Sequence, residues 1–249
     1  MKASDIGFLM TDLRRRYRPE SVKESGTALG KISAETRDPF KVLISTILSQ
    51  RTRDEMTEIA SSDLFAEFPD ARSLADAPIA KVRRRIRPVG FYNQKAHMIK
   101  EVSRILLRKH GVVVPSNYDD LVALPHVGPK TANCVLVYGF AIPRIPVDTH
   151  VHRISNRLGL VRTKAPEESE AALVKVVPRE YWMDINGFLV SFGKQVCRPI
   201  GPRCTECKFT PFCDYYRRLK EKKAPSRLLQ AGAPSRRRRP SPPLSRLRA

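Results

Sequence analysis

The chain has 249 residues, 41% of them hydrophobic, and a formal net charge of +21. That length allows one large or two small domains with their own cores, and the charge points to a polyanionic partner, most simply nucleic acid. No run approaches the roughly 18 apolar residues of a membrane span, and Met1-Lys2-Ala3-Ser4-Asp5 leads into a mixed helix and not a signal-peptide core, so an intracellular protein with no membrane partner is expected.

In chain order the body reads as all-α. Ser4 is placed to cap a first helix with Ile6, Leu9, Leu13 and Tyr17 on one face. Phe40, Leu43, Ile44, Ile47 and Leu48 keep the i, i+3, i+4, i+7, i+8 spacing of a buried helix face. Ile99, Val102, Ile105 and Leu106 predict another helix, ending near Lys109-His110-Gly111. Leu173, Val174 and Val177 belong to a further helix halted by Pro178. Ile185, Phe188, Leu189, Phe192 and Val196 form a stripe running into Cys197. Strand-like alternation is scarce, and the apolar run from Gly111 to Val114 is too short for a sheet. From Arg217 onward twelve Lys or Arg face one acidic residue, about half the net charge. Ala224 to Ala249 is rich in Pro, Ser and Arg, buries too little to offset its ordering entropy, and is expected to be disordered. Arg236 to Arg239 within it suit nonspecific phosphate contact.

Two patterns carry chemistry. Cys197, Cys204, Cys207 and Cys213 follow C-x6-C-x2-C-x5-C spacing. Outside an oxidising compartment such crowding reads as a metal or iron–sulfur site and not as two disulfides. Spacing alone leaves zinc and an iron–sulfur cluster both open. The fifth cysteine, Cys134, reads as a buried core thiol. The second pattern is Leu124-Pro125-His126-Val127-Gly128-Pro129-Lys130-Thr131-Ala132, a tight turn feeding a helix with Pro129 at its first position. Free N–H groups at that start suit a phosphate. Lys130 beside them is either a phosphate contact or a nucleophile, its pKa expected to be lowered by the helix terminus. Eighteen residues later Asp148 follows the rigid Pro143-Arg144-Ile145-Pro146 connector at an N-cap position. Facing Lys130, that carboxylate could activate the amine.

These segments, with Leu48-Ser49-Gln50-Arg51-Thr52-Arg53-Asp54, Val89 to Ala96 and Val147 to Arg153, resemble the endonuclease III family of helix-hairpin-helix DNA glycosylases with lyase activity, over about residues 33 to 216. The resemblance implies two lobes with a DNA cleft between them. A six-helix barrel carrying the helix-hairpin-helix takes residues 32–142. A 4Fe–4S cluster domain takes 1–31 and 143–216, and 217–249 is left as the basic tail. It implies a monomer that acts on double-stranded DNA holding damaged pyrimidines or abasic sites. Lys130 takes the place of the nucleophile and Asp148 that of the catalytic carboxylate. The DNA contacts implied are Gln50, Arg51, Phe91, His126, Val127, Gly128, Thr131, His150, Lys194 and Arg198, with the four cysteines holding the cluster.

The chain departs from the family pattern in places. His126 stands where the hairpin usually has glycine, and at a positive φ histidine carries a cost. The side chain that fills the gap left by a flipped nucleotide falls on Arg51, with Gln50 one position earlier, and either could serve. The alternatives are a mismatch-specific glycosylase of the same superfamily, against which Lys130 argues, and a non-catalytic DNA-binding module.

Overall fold

The structure is a computed structural model that describes residues 3–17 and 27–223. The side chain of Ser4 and the stretch Ala224 to Ala249, both assigned roles above, lie outside that description. Among the described residues there are helices and no strands, as the apolar spacing predicts. Thirteen α-helices follow in order: α1 Ala3–Arg16, α2 Ala28–Thr36, α3 Pro39–Ser49, α4 Asp54–Glu67, α5 Ala71–Asp76, α6 Ile79–Arg85, α7 Tyr92–Lys109, α8 Tyr118–Val122, α9 Pro129–Phe140, α10 Thr149–Leu158, α11 Pro166–Val176, α12 Ile185–Gln195 and α13 Asp214–Lys223.

Local chemistry starts most of them where the sequence says. Asp38 caps α3 by accepting from the Phe40 N–H at 2.8 Å, with Pro39 at the first helical position. Asp70 and Ser73 close a capping box on α5, and Asn117 caps α8 by accepting from the Asp120 N–H at 2.9 Å. Lys100, buried on α7, donates to the carbonyls of Ala75 (2.8 Å) and Ala77, tying off the end of α5.

Apolar side chains gather in two separate cores. One is built from α3 to α9, with α3 buried on nearly every side at its centre. The other joins α1 to residues that follow Ile145, chiefly on α10 and α12, and ends at Phe209. Burial of this order, at about 25 cal/mol per Å² of apolar surface, is the main favourable contribution to each. A boundary between residues 31 and 32 would cut α2. That helix packs on α3, α4 and α9. Residues 217–223 correct a second boundary. They continue α13, in which Arg217 bonds Asp214 at 2.7 Å, Lys220 lies 5.1 Å over the Tyr216 ring, and Tyr215 of the same helix carries Arg157 at 4.4 Å. Aromatic anchoring of the first turn keeps the basic stretch helical past the point where its composition changes.

The contact of α10 with α12 places the site. Gly193 on α12 lies so close to α10 that a Cβ there would collide with His150 Nδ1 and come within 2.9 Å of Ile154. Gly193→Ala should therefore cost about 1–3 kcal/mol, read as a lower denaturant midpoint at unchanged m-value. An unchanged midpoint would show that the two helices are not in close contact.

Candidate active site

The α8–α9 turn is held by its backbone. The N–H of Leu124 donates to Leu121 C=O (3.1 Å), that of Val127 to Leu124 (3.3 Å) and that of Ala132 to Gly128 (2.9 Å). His126 takes φ +66°, the left-handed conformation that glycine adopts at no cost. Its ring is not idle there, for Nε2 lies 3.0 Å from Glu101 on α7, and its carbonyl accepts from Gln50 Nε2 at 3.3 Å. Gly128 is the N-cap of α9 at φ −88°, so it is used for an open approach and not for a positive φ. Val127 and Thr131 present no side chain to DNA. Both side chains are buried, which leaves only the Thr131 backbone N–H, in the first turn of α9, available to a phosphate.

Lys130 emerges from that first turn into a cavity of about 700 Å³. The cavity lies between the two cores, and Asp148, His150, Gln50, Arg51, Asp54 and Lys194 also line it. Asp148 is the N-cap of α10. Its Oδ1 accepts from the N–H groups of both His150 (2.9 Å) and Val151 (2.8 Å), so Oδ2 is left to the cavity. Burial pushes the Lys130 ammonium down, but Cys134, Asp148 and Asp54 push it up, and the net direction is upward. This reverses the lowering expected from the helix terminus. The share from Cys134 requires a thiolate, and burial raises the Cys134 thiol. Asp148 and Asp54 are then the counter-charges that face the ammonium. Cys134 is fully buried, as expected, but it lies one turn along α9 from Lys130 and shares its environment, a contact its sequence gave no sign of. Burial lowers His150 despite Asp148. Arg153 donates to its Nδ1 at 3.2 Å, so the neutral ring carries its proton on Nε2.

The mouth of the cavity is braced. Lys194, at the end of α12, meets Asp54, at the start of α4, at 2.6 Å and spans the two cores. Phe91 is 54% exposed and takes φ +59°, and Arg51 takes φ +53° with its guanidinium 5.1 Å over the Phe91 ring. Gly90 packs so tightly below them that a Cβ would stand 3.1 Å from Arg51 C=O. Beneath both loops the buried Lys95 donates to Leu48 C=O (2.7 Å), Gln50 C=O (2.5 Å) and Thr52 Oγ1 (2.8 Å). Burial lowers it to about 8, so at neutral pH it keeps its charge and all three donors. The sequence did hold a signal for this residue: position 95 lies on the same stripe as Ile99, Val102 and Leu106, and a lysine on a buried stripe needs acceptors. Asp54 and Asn186, whose Nδ2 donates to Pro146 C=O at 2.9 Å, are further lining residues that periodicity did not single out.

The four cysteines are free of disulfides and only partly exposed. Arg157 binds their loop from α10, donating to Arg198 C=O (2.6 Å) and Pro199 C=O (2.8 Å), with Cys197 Sγ at 3.6 Å. Arg153 donates to Cys197 C=O at 3.0 Å. Backbone N–H groups of Phe209, and of Tyr215 and Tyr216, point at the sulfurs of Cys207 and Cys213. Arg198 itself is half-buried on this loop.

Residues 44–179 match the family described as HhH-GPD superfamily base excision DNA repair protein. Endonuclease III of Thermotoga maritima is 52% identical over 73% of this chain and 85% of its own length. That of Bacillus subtilis is 35% identical over 71% and 81%. A solved endonuclease III, trapped covalently on DNA in an estranged-adenine complex, superposes with a TM-score of 0.77 at 28% identity, over 88% of this chain and 99% of that one. The chain belongs to the endonuclease III family. It is a DNA glycosylase and AP lyase of base excision repair. Members of this family generally bind a 4Fe–4S cluster. No helix among the described residues is long and apolar enough to cross a membrane.

The strapping of the 50–52 loop by Lys95 is directly testable. Lys95→Met keeps the bulk but leaves three acceptors unmet, so the fold should lose about 2 kcal/mol, and the amides of Arg51 to Arg53 should exchange hydrogen faster. Undiminished protection there would remove Lys95 as the brace.

Proposed function

We propose that Lys130 is the nucleophile and Asp148 the carboxylate that serves it, acting on oxidised, ring-saturated pyrimidines in double-stranded DNA. The observation that carries this reading is the cavity shared by Lys130 and the unoccupied Oδ2 side of Asp148. A target base cannot be reached inside the stack and must be turned out into such a cavity. Bases that have lost aromatic stacking leave the helix at lower cost. Lys130, held as an ammonium, first gives a proton to a base, for which Asp148 is the group at hand. The amine then attacks the sugar C1′, forming the N–C bond as the bond to the damaged base breaks and the electron pair leaves with the base. Asp148 stabilises the cation that develops on the sugar. The nitrogen lone pair then opens the sugar ring: the C1′=N bond forms as the C1′–O4′ bond breaks, the nitrogen gives up a proton and O4′ takes one. This Schiff base acidifies the C2′ proton, whose loss expels the 3′ phosphate by β-elimination and cuts the strand 3′ to the lesion. Gln50, Arg51, Phe91 and His126 at the mouth, His150 and Lys194 in the cavity, Arg198 on the cysteine loop, and the N–H groups of Gly128 and Thr131 are the DNA contacts of this reading. The chain acts as a monomer, with residues 28–142 as one lobe and α1 with 143–216 as the other.

The cysteine loop suits a 4Fe–4S cluster. Its donors are four thiols free of disulfides. Burial raises the thiols of Cys204, Cys207 and Cys213, and backbone N–H groups at Cys207 and Cys213 oppose that, with the Arg157 guanidinium at Cys197. Among the described residues no three His, Cys, Asp or Glu side chains converge as they would around one ion. Cys197, Cys204, Cys207 and Cys213 would hold the cluster, and it would supply a covalent tie that fixes the loop and no group to the reaction.

Borohydride should trap the wild-type protein on duplex DNA carrying an abasic site, and Lys130→Ala should not trap; equal trapping by both would end the assignment. Asp148→Asn keeps the helix cap, since asparagine caps as well as aspartate. It should lose about a hundred- to ten-thousandfold in base release while still binding DNA, and undiminished turnover would remove Asp148 from the chemistry. Analysis should find iron and acid-labile sulfide in the purified protein, with zinc in their place as the contrary result.

A further inference from the structure

A second concave site lies at the far end of α10 from the chemistry. It is a cavity of about 690 Å³, and its charged lining is Arg157, Arg162, Lys164, Arg217 and Arg218 with Asp214 as the lone carboxylate. α10 separates it from the catalytic cavity. His150 faces one and His152 the other, roughly 200° apart around the helix. The ten residues of α10 set the two ends about 15 Å apart at 1.5 Å per residue.

The cations are arranged and not merely numerous. Gly159, the C-cap of α10 at φ +79°, leaves the room that brings the Asp214 carboxylate to within 2.7 Å of where a Cβ would stand, so the start of α13 seats on the end of α10. From that seat Asp214 orients Arg217 (2.7 Å) and Arg162 (3.6 Å). One carboxylate cannot neutralise this set. Arg157 is committed to the cysteine loop and the Tyr215 ring. Arg162 and Arg217 remain 87% and 65% exposed, and Lys164 and Arg218 are exposed beside them. A further acid, Glu168, accepts from the Lys164 N–H at 2.9 Å. The C-terminal end of α10 adds a negative dipole that gathers cations there. Beyond α13 the sequence continues basic through Arg236 to Arg239.

We propose that this cleft between the end of α10 and the start of α13 binds the phosphodiester backbone of DNA outside the lesion site. Guanidinium groups held at fixed positions by Asp214 match phosphate oxygens, and a concave wall focuses their field. The contact reads no sequence and adds affinity for undamaged duplex, which an enzyme in search of rare lesions meets first. The proposal takes DNA binding from the reading above but not its chemistry.

The test measures binding of the full chain, with its cysteine site loaded, to undamaged duplexes as salt is varied. The duplexes are a short one that only fills the catalytic cavity and a longer one. For the Arg162→Ala/Arg217→Ala/Arg218→Ala variant the slope of log K against log salt should shrink by about 2 to 3 on the longer duplex, at roughly 0.9 per phosphate contact. Replacement of the same three by Lys should restore most of it. A shrinkage confined to the longer duplex places the contact on flanking backbone of the same molecule. Loss of complexes holding two duplexes, seen by light scattering, places it on a second one. Affinity and slope equal to wild type on every duplex would overturn the proposal. A wild-type protein that fails to trap with borohydride would sink the lyase chemistry and leave this result standing.

Discussion

Two hydrogen bonds to one oxygen organise much of the molecule. Asp148 Oδ1 takes the N–H groups of His150 and Val151, which starts α10 and at the same time fixes a carboxylate at the edge of the catalytic cavity. The helix so begun carries Arg153 and Arg157 on to the cysteine loop, where they bind the carbonyls of Cys197, Arg198 and Pro199. α10 is therefore a strut between the chemistry and the loop. On the proposed reading the cysteine loop would hold one wall of the cleft from the far end of a helix whose near end carries Asp148. Gly193 lets α12 lie against that strut without a gap, and Lys194 beside it closes the span to α4.

The constraint on Lys130 is one of charge. A cation can be buried only beside acceptors or counter-charges, and Asp148 and Asp54 meet that need. The stabilisation has a consequence for reactivity, since the groups that keep the ammonium in place also oppose its loss of a proton. A helix terminus acting alone would have pushed the other way. Its reach is short and its effect on one side chain modest, whereas two carboxylates across a low-dielectric cavity act strongly.

What could be read from the sequence divides along the same physical line. Helix positions, the apolar stripes along them, the cap at Asp148 and the proline start of α9 rest on local rules of spacing and capping, and these hold without tertiary help, whereas the two lobes came with the family resemblance. Lys130, Asp148 and the cysteine set stand out because residue types that bear chemistry lie in short, distinctive segments. The contacts that cross between segments were not. Nothing near Lys95 in the chain names Leu48, Gln50 and Thr52 as its acceptors. Val127 and Thr131 lie in the right motif, yet their side chains turn inward because the same turn needs apolar anchors. Cys134 was legible as buried but not as a neighbour of Lys130, although the four-residue spacing permits it. The helix that runs past Tyr216 was missed because composition registers charge and overlooks two tyrosines that anchor a turn.

The left-handed residues show why the mouth of the site could not be built from local preference. Arg51, Phe91 and His126 all sit at positive φ, where a side chain costs about 1 kcal/mol or more each. A chain optimised only for stability would place glycine at each position, and this one does not. The strain is held by contacts that converge on one small region: Lys95 under the 50–52 loop, Gly90 against Arg51, the Arg51 guanidinium on the Phe91 ring, and Gln50 on the His126 carbonyl. Three strained positions joined by such contacts behave as one rigid edge. Turning a nucleotide out of a duplex leaves a gap that something must occupy while the base is away. A rigid edge can hold that position without ordering itself at the moment of binding, so the cost in conformational freedom is met during folding and not during the search for a lesion.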